Sequence, residues 1–335
     1  MLLNPAIIAL LMVSAVVSLM LLLASFFALQ ILRHWDISSG SEIQLRLERR
    51  TYLVSTLLNL VLVTQLISLL LYIYNAESMS GQFVGAMCAT GVLNVNAWGW
   101  PTLFLKIAIF FMGSIWLTLN YLDNQGYDYP LTRKKYTLLL TMLPVVIMEF
   151  YVQSRYFLEM NPDVITSCCG SLFSSDADGV AAEVSSVSPV QAVYALYGTG
   201  LLVMLSGSYT LKSKKGGGVY ALFALLAFVV ALIAIVSYVS LYIYQHPHHH
   251  CPFCILKSGH DYAGYSLYIP LFIATATALS AATVLRWRKV KSLQLAAAGV
   301  APRITYLSLM LFCLFYAFST YWVVQSPLTM QAVWW

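Results

Sequence analysis

The residues best suited to chemistry are sulfur and imidazole, and they are clustered. Residues 248–254 read His-His-His-Cys-Pro-Phe-Cys. Two residues between cysteines let both sulfurs meet within one helical turn, and such pairs form reducible disulfides and carry lowered thiol pKa values. Neighbouring imidazoles favour a thiolate when protonated, and Pro252 removes a backbone donor and constrains the turn. A second pair, Cys168-Cys169, is adjacent in sequence. Adjacent cysteines close on each other only with strain, so they suit distant partners or a metal. A third motif runs from Cys88 to Pro101, with Gly91 and Gly99 marking a compact turn into an apolar helix. These cysteines are the candidate catalytic residues: Cys251 and Cys254 first, exchanging with Cys88 or with Cys168 and Cys169. Five such cysteines leave one unpaired in any full disulfide scheme, which suits a relay or a metal site. The sixth, Cys313, falls mid-helix and is expected to pack as a buried apolar residue.

The elements that carry these residues follow from composition. Of 335 residues, 60% are hydrophobic and 9% charged, where soluble domains run near 25% charged. A soluble enzyme and a nucleic-acid binder are excluded despite the net charge of +5. Disorder is excluded by the abundance of aromatic and β-branched residues. The fold class is an all-α, polytopic membrane bundle in a lipid bilayer. Eight apolar stretches are long enough to cross, at about 5–32, 52–74, 102–122, 136–157, 189–211, 218–244, 265–286 and 304–325. They form one transmembrane domain over residues 1–335.

Orientation follows from Lys and Arg. Fifteen of the 18 fall in the first, third, fifth and seventh loops, at Arg33 to Arg50, Arg133 to Lys135, Lys212 to Lys215 and Arg286 to Arg303. Those loops are expected to be cytoplasmic, with both termini extracytoplasmic. The outer loops are then 75–101, 158–188 and 245–264. They hold five of the six cysteines and five of the six histidines. The expected site of action is therefore the extracytoplasmic face of a bacterial inner membrane.

The two outer motifs resemble the working parts of membrane thiol–disulfide oxidoreductases, namely the bacterial disulfide-bond membrane proteins and the vitamin K epoxide reductase family. Cys251-Pro-Phe-Cys254 looks like their membrane-edge pair, and Cys88 before Gly99 and Pro101 is similar to their shuttle loop. The likeness covers these motifs and not the whole chain, and those families use a smaller helical core. It implies a quinone as electron acceptor. An exported thiol protein is the expected protein partner.

Two ionisable residues, Lys106 and Glu149, fall inside apolar stretches. They sit at similar depth in consecutive helices and are expected to pair. An intramembrane charge costs about 2.5–3.5 kcal/mol on insertion scales, so a role in a proton route or at a quinone head group is expected. Two other readings remain open. His248, His249, His250, Cys251 and Cys254 offer ligand types for zinc or copper. Alternatively the chain is a non-catalytic membrane subunit of an electron-transfer complex, its cysteines stapling loops to that partner. A c-type haem is excluded because Ile255, not His, follows Cys254.

Overall fold

The computed structural model describes residues 3–37, 39–166 and 187–330. These residues form helices with no strand. Among the described residues, eight helices are long and apolar enough to cross a membrane, matching the eight stretches above. Large apolar side chains such as Leu19, Leu60, Leu205 and Leu222 are more than half exposed along them. Faces of that kind are compatible with lipid and unfavourable in water.

The helices run on past the apolar stretches. Helix α1 spans Pro5–His34 and begins where Asn4 accepts the Ala6 amide at 2.9 Å, with Pro5 in the first turn. Helix α2 spans Glu42–Ser78 and starts about ten residues before its apolar stretch. Its first turns are held by the Arg46–Glu42 pair and by Leu47, which is buried. After a short helix α3 at Ala89–Leu93 come α4 (Gly99–Asp123), α5 (Thr132–Leu158) and α6 (Pro189–Ser213). Helix α7 (Gly217–Ala234) passes through a π-helical segment, Ile235–Val239, into α8 (Ser240–Tyr244). Helices α9 (Ala263–Trp287) and α10 (Gln294–Gln325) complete the chain.

The chain groups into two compact units. The first gathers Met1–Asn75, Val95–Asn161 and Arg286–Val300. Its core is apolar: Val17 and Leu21 of α1, Leu58 and Leu62 of α2, Ile109 and Trp116 of α4, and Leu139, Met142 and Val146 of α5. The α4–α5 connection is locked by a buried ion pair. Lys135, which the sequence placed in a basic loop, lies 2.7 Å from Asp123 with both side chains essentially unexposed. Asp123 also accepts from the Leu131 amide (2.7 Å) and Thr132 hydroxyl (2.8 Å), and Lys135 donates to Asn120 at 2.9 Å. Each charge is thus compensated, as burial requires.

The second unit gathers Ala76–Asn94, Pro162–Leu285 and Ala301–Trp335. Its helices approach closely through small residues. A Cβ on Gly200 of α6 would lie 2.6 Å from the Tyr316 ring of α10, and one on Gly207 would lie 2.6 Å from Leu309. Tyr220 of α7 donates to Ser308 of α10 (2.7 Å), which donates to the Ala274 carbonyl of α9 (2.7 Å). Cys313 of α10 corrects the sequence expectation: it is exposed on its helix rather than packed. One residue per turn of a lipid-facing helix must point outward, and apolarity alone does not say which.

Candidate redox site

The site lies in the second unit and is built from two segments. The first follows α8. Gln245 takes φ 55°, which ends the helix, and the chain folds back as Gln245 and His246 amides bond to Tyr242 and Leu241 carbonyls. Backbone carbonyls of the Cys-Pro-Phe-Cys turn are then pinned from two helices. The Tyr244 hydroxyl donates to the Cys251 carbonyl, and the Tyr268 hydroxyl donates to the Pro252 carbonyl at 2.8 Å. Cys254 opens a 3-10 turn, and the Lys257 amide bonds to the Cys254 carbonyl at 3.1 Å.

The second segment carries Cys88 at the head of α3. The Ala89 amide donates to Glu77 at 2.8 Å, and Lys257 holds the other oxygen of Glu77 at 3.1 Å. Lys257 also donates to the Met87 carbonyl, next to Cys88. Thr166 braces the same segment through bonds to Gly91 (2.9 Å) and Val84 (3.0 Å). Gly85 makes this approach possible. It takes φ 85°, and a Cβ there would lie 2.0 Å from the Thr166 oxygen.

These two segments bring three sulfurs together. The Sγ atoms of Cys88, Cys251 and Cys254 all lie within 4.8 Å of one another. Cys88 and Cys251 are 3.2 Å apart, and the Thr90 hydroxyl is 3.2 Å from Cys251. All three cysteines are buried. Among the described residues this is the one group of three or more His, Cys, Asp or Glu ligand atoms that converge.

Comparison of the chain with protein-family models, curated proteins and solved structures gives no match.

The sulfurs are not equivalent. Hydrogen bonds from Cys254, then Cys88 and Thr90, pull the Cys251 thiol well below the ordinary thiol range, against the opposing effect of burial. Cys254 is pushed up, because it is the donor to Cys251 and is itself buried. One thiolate shared by neighbouring S–H donors is the stable protonation state of such a group. Burial lowers the Lys257 ammonium, but Glu77 outweighs it, and with the nearby sulfurs holds the ammonium above its usual value.

No imidazole nitrogen belongs to this group of three sulfurs. His250 places Nδ1 3.0 Å from the Val236 carbonyl in the π-helical segment. His249 stacks on the Tyr244 ring with centroids 4.0 Å apart, and His248 is exposed. Burial lowers the His250 pKa, against the opposing pull of the Val236 carbonyl. Cys168 and Cys169 lie outside the described residues. Sequence reading missed Lys257, Glu77 and Thr90. Lys257 did carry a signal, as one of three cations outside the basic loops.

Lys106 and Glu149 pair in the first unit at 2.8 Å, with side chains 1% and 0% exposed. Glu149 also accepts from Ser14 and Gln65, each at 3.2 Å, and Lys106 donates to Ser68 at 3.2 Å.

Proposed function

We propose that the protein is an integral membrane thiol–disulfide oxidoreductase. The observation that carries this reading is the convergence of Cys88, Cys251 and Cys254, contributed by segments 163 residues apart. Cys251 is the nucleophile, because the thiolate attacks and Cys251 is the sulfur held as thiolate.

The Cys251 thiolate attacks one sulfur of a disulfide in an exported protein. A mixed disulfide forms, the original S–S bond breaks, and the leaving sulfur departs as a thiolate that takes a proton. Cys254 or Cys88 then loses its proton and attacks the Cys251 sulfur. This releases the second partner thiolate and leaves a disulfide within the triad. The partner has gained two electrons and the triad has lost two. A membrane quinol restores the triad with two electrons and two protons and becomes quinone. In the opposite direction a quinone oxidises the triad and becomes quinol. In this reading the Lys257 ammonium steadies the departing negative charge. The basic residues of the odd loops support a cytoplasmic-membrane location with the triad outside.

The test is trapping in intact cells. Cys88→Ser combined with Cys254→Ser should leave Cys251 joined to its partner as a mixed disulfide that reductant releases on gels. Cys251→Ser should trap nothing. A triad that never accepts an impermeant maleimide, with or without reductant, in any single Cys→Ser variant would sink the proposal.

A second reading draws on the same three sulfurs. They are the ligand set of a soft d10 ion such as Cu(I), or part of a zinc set, with the imidazoles outside it. Metal bound by the purified protein and lost in Cys88→Ser, but not in a His248–His250 triple Ala variant, is the outcome that favours it.

A further inference from the structure

Cys88 is gripped on both sides by one pair of charges. Its backbone is extended, with φ −159° and ψ −179°. The peptide group before it presents the Met87 carbonyl, which accepts from the Lys257 ammonium. The peptide group after it presents the Ala89 amide, which donates to one Glu77 oxygen at 2.8 Å. The other Glu77 oxygen meets Lys257 at 3.1 Å. The pair therefore closes around Cys88 with matched polarity, ammonium on carbonyl and carboxylate on amide. Each of these contacts is a hydrogen bond to a charged group, the stronger kind.

Lys257 is tied equally to the other half of the triad. Its amide donates to the Cys254 carbonyl at 3.1 Å, and its own carbonyl accepts from the Tyr262 amide at 3.2 Å. The Cys-Pro-Phe-Cys turn before it is pinned by Tyr244 and Tyr268. The Lys257 side chain thus carries the position of one cysteine segment to the other. The choice it bears on is between two disulfides. Cys251 lies 3.2 Å from Cys88 and within 4.8 Å of Cys254. The bond to Cys254 closes across two intervening residues, so the local chain sets its effective concentration. The bond to Cys88 closes across 163 residues, and its effective concentration is whatever the fold imposes.

We propose that Lys257 and Glu77 are positioning residues, a clasp that holds Cys88 against Cys251 and makes Cys88–Cys251 the favoured disulfide of the oxidised triad. The inference rests on the redox reading above. The two disulfides interconvert without an external oxidant. Cys88 gives up its proton and its sulfur attacks Cys251. The Cys88–Cys251 bond forms, the Cys251–Cys254 bond breaks, and Cys254 leaves as a thiolate that takes the proton. No electrons are gained or lost overall. Opening the clasp lowers the effective concentration of Cys88 alone, so the disulfide returns to Cys254.

The test equilibrates the full chain in lipid nanodiscs with reduced and oxidised glutathione. One oxidised glutathione takes two electrons and two protons from the triad and becomes two reduced molecules. After an acid quench and alkylation, mass spectrometry of the linked peptides gives the ratio of Cys88–Cys251 to Cys251–Cys254. The Cys88–Cys251 bond should predominate in the wild-type chain. Lys257→Gln and Glu77→Gln should each lower the ratio about fivefold, the scale of one charge-assisted hydrogen bond at a part-exposed site. Lys257→Glu combined with Glu77→Lys restores an ion pair but sets a carboxylate against the Met87 carbonyl and an ammonium against the Ala89 amide, so the ratio should stay low. Gly200→Ala, which crowds Tyr316 in the same unit and touches neither clasp residue, should leave the ratio unchanged. An unchanged ratio in Lys257→Gln and Glu77→Gln overturns the clasp and leaves the redox reading standing. A wild-type ratio in the swapped pair, or a fall in Gly200→Ala equal to that in Lys257→Gln, does the same. A wild-type chain that forms neither disulfide overturns both.

Discussion

At the scale of single residues, the triad turns three ordinary thiols into one nucleophile and two donors. The lowered Cys251 pKa has a defined sign. A depressed thiol pKa keeps the thiolate present as pH falls below the ordinary thiol range, and loses it only below the depressed value. Alkylation of Cys251 should therefore stay flat from neutral into mildly acidic pH. Cys254, pushed the other way, should react only under alkaline conditions. Mass spectrometry of each site across pH separates the two, and a single shared pH profile would refute the assignment. The pair Cys251 and Cys254 was legible in sequence because two intervening residues fix how near the sulfurs can come. Their partner Cys88 was legible only as a motif, because no local rule reaches across 163 residues. The histidines neighbour the sulfurs in sequence; in the fold His250 meets a carbonyl of the preceding helix and His249 an aromatic face.

At the scale of elements, the two cysteine segments depend on how tightly their turns are closed. Gly85→Ala forces a Cβ into the Thr166 carbonyl at a left-handed position. The expected cost is about 1–3 kcal/mol, with the Cys88 segment displaced. Faster alkylation of Cys88 with little change at Cys313 would register that displacement. The buried ion pair of α4 and α5 makes a second expectation. Removing one partner, as in Lys106→Met, leaves a buried charge and should cost about 3–5 kcal/mol in thermal unfolding, while Lys106→Met with Glu149→Leu should recover most of it. Sequence reading brought Lys106 and Glu149 together because both interrupt apolar stretches at similar depth. It left Lys135 among loop cations, because a charge at a helix end has the same local pattern whether it faces solvent or an aspartate.

At the scale of the whole molecule, hydropathy was the most legible feature. A crossing helix needs about 20 apolar residues, so eight long runs leave little freedom in the count. The polar ends were less legible, since α2 begins in a charged segment that composition assigns to a loop. The orientation proposed from the charge distribution can be measured. An exported-phosphatase reporter should be active when fused after Gly259 and silent when fused after Arg288. The opposite pattern would put the triad in a reducing compartment and remove the basis for disulfide exchange.

The π-helical segment at Ile235–Val239 sets the angular phase of everything beyond it. One residue advances a helix by about 100°, so the wider π turn acts as a rotational offset between α7 and the loop it launches. Returning the segment to α geometry with all five of its residues kept would turn Tyr242 and Tyr244 through about that angle. The Tyr244 hydroxyl would leave the Cys251 carbonyl, and His250 would lose its seat on Val236. A loop shorter by nothing, still carrying both cysteines, would then aim them elsewhere.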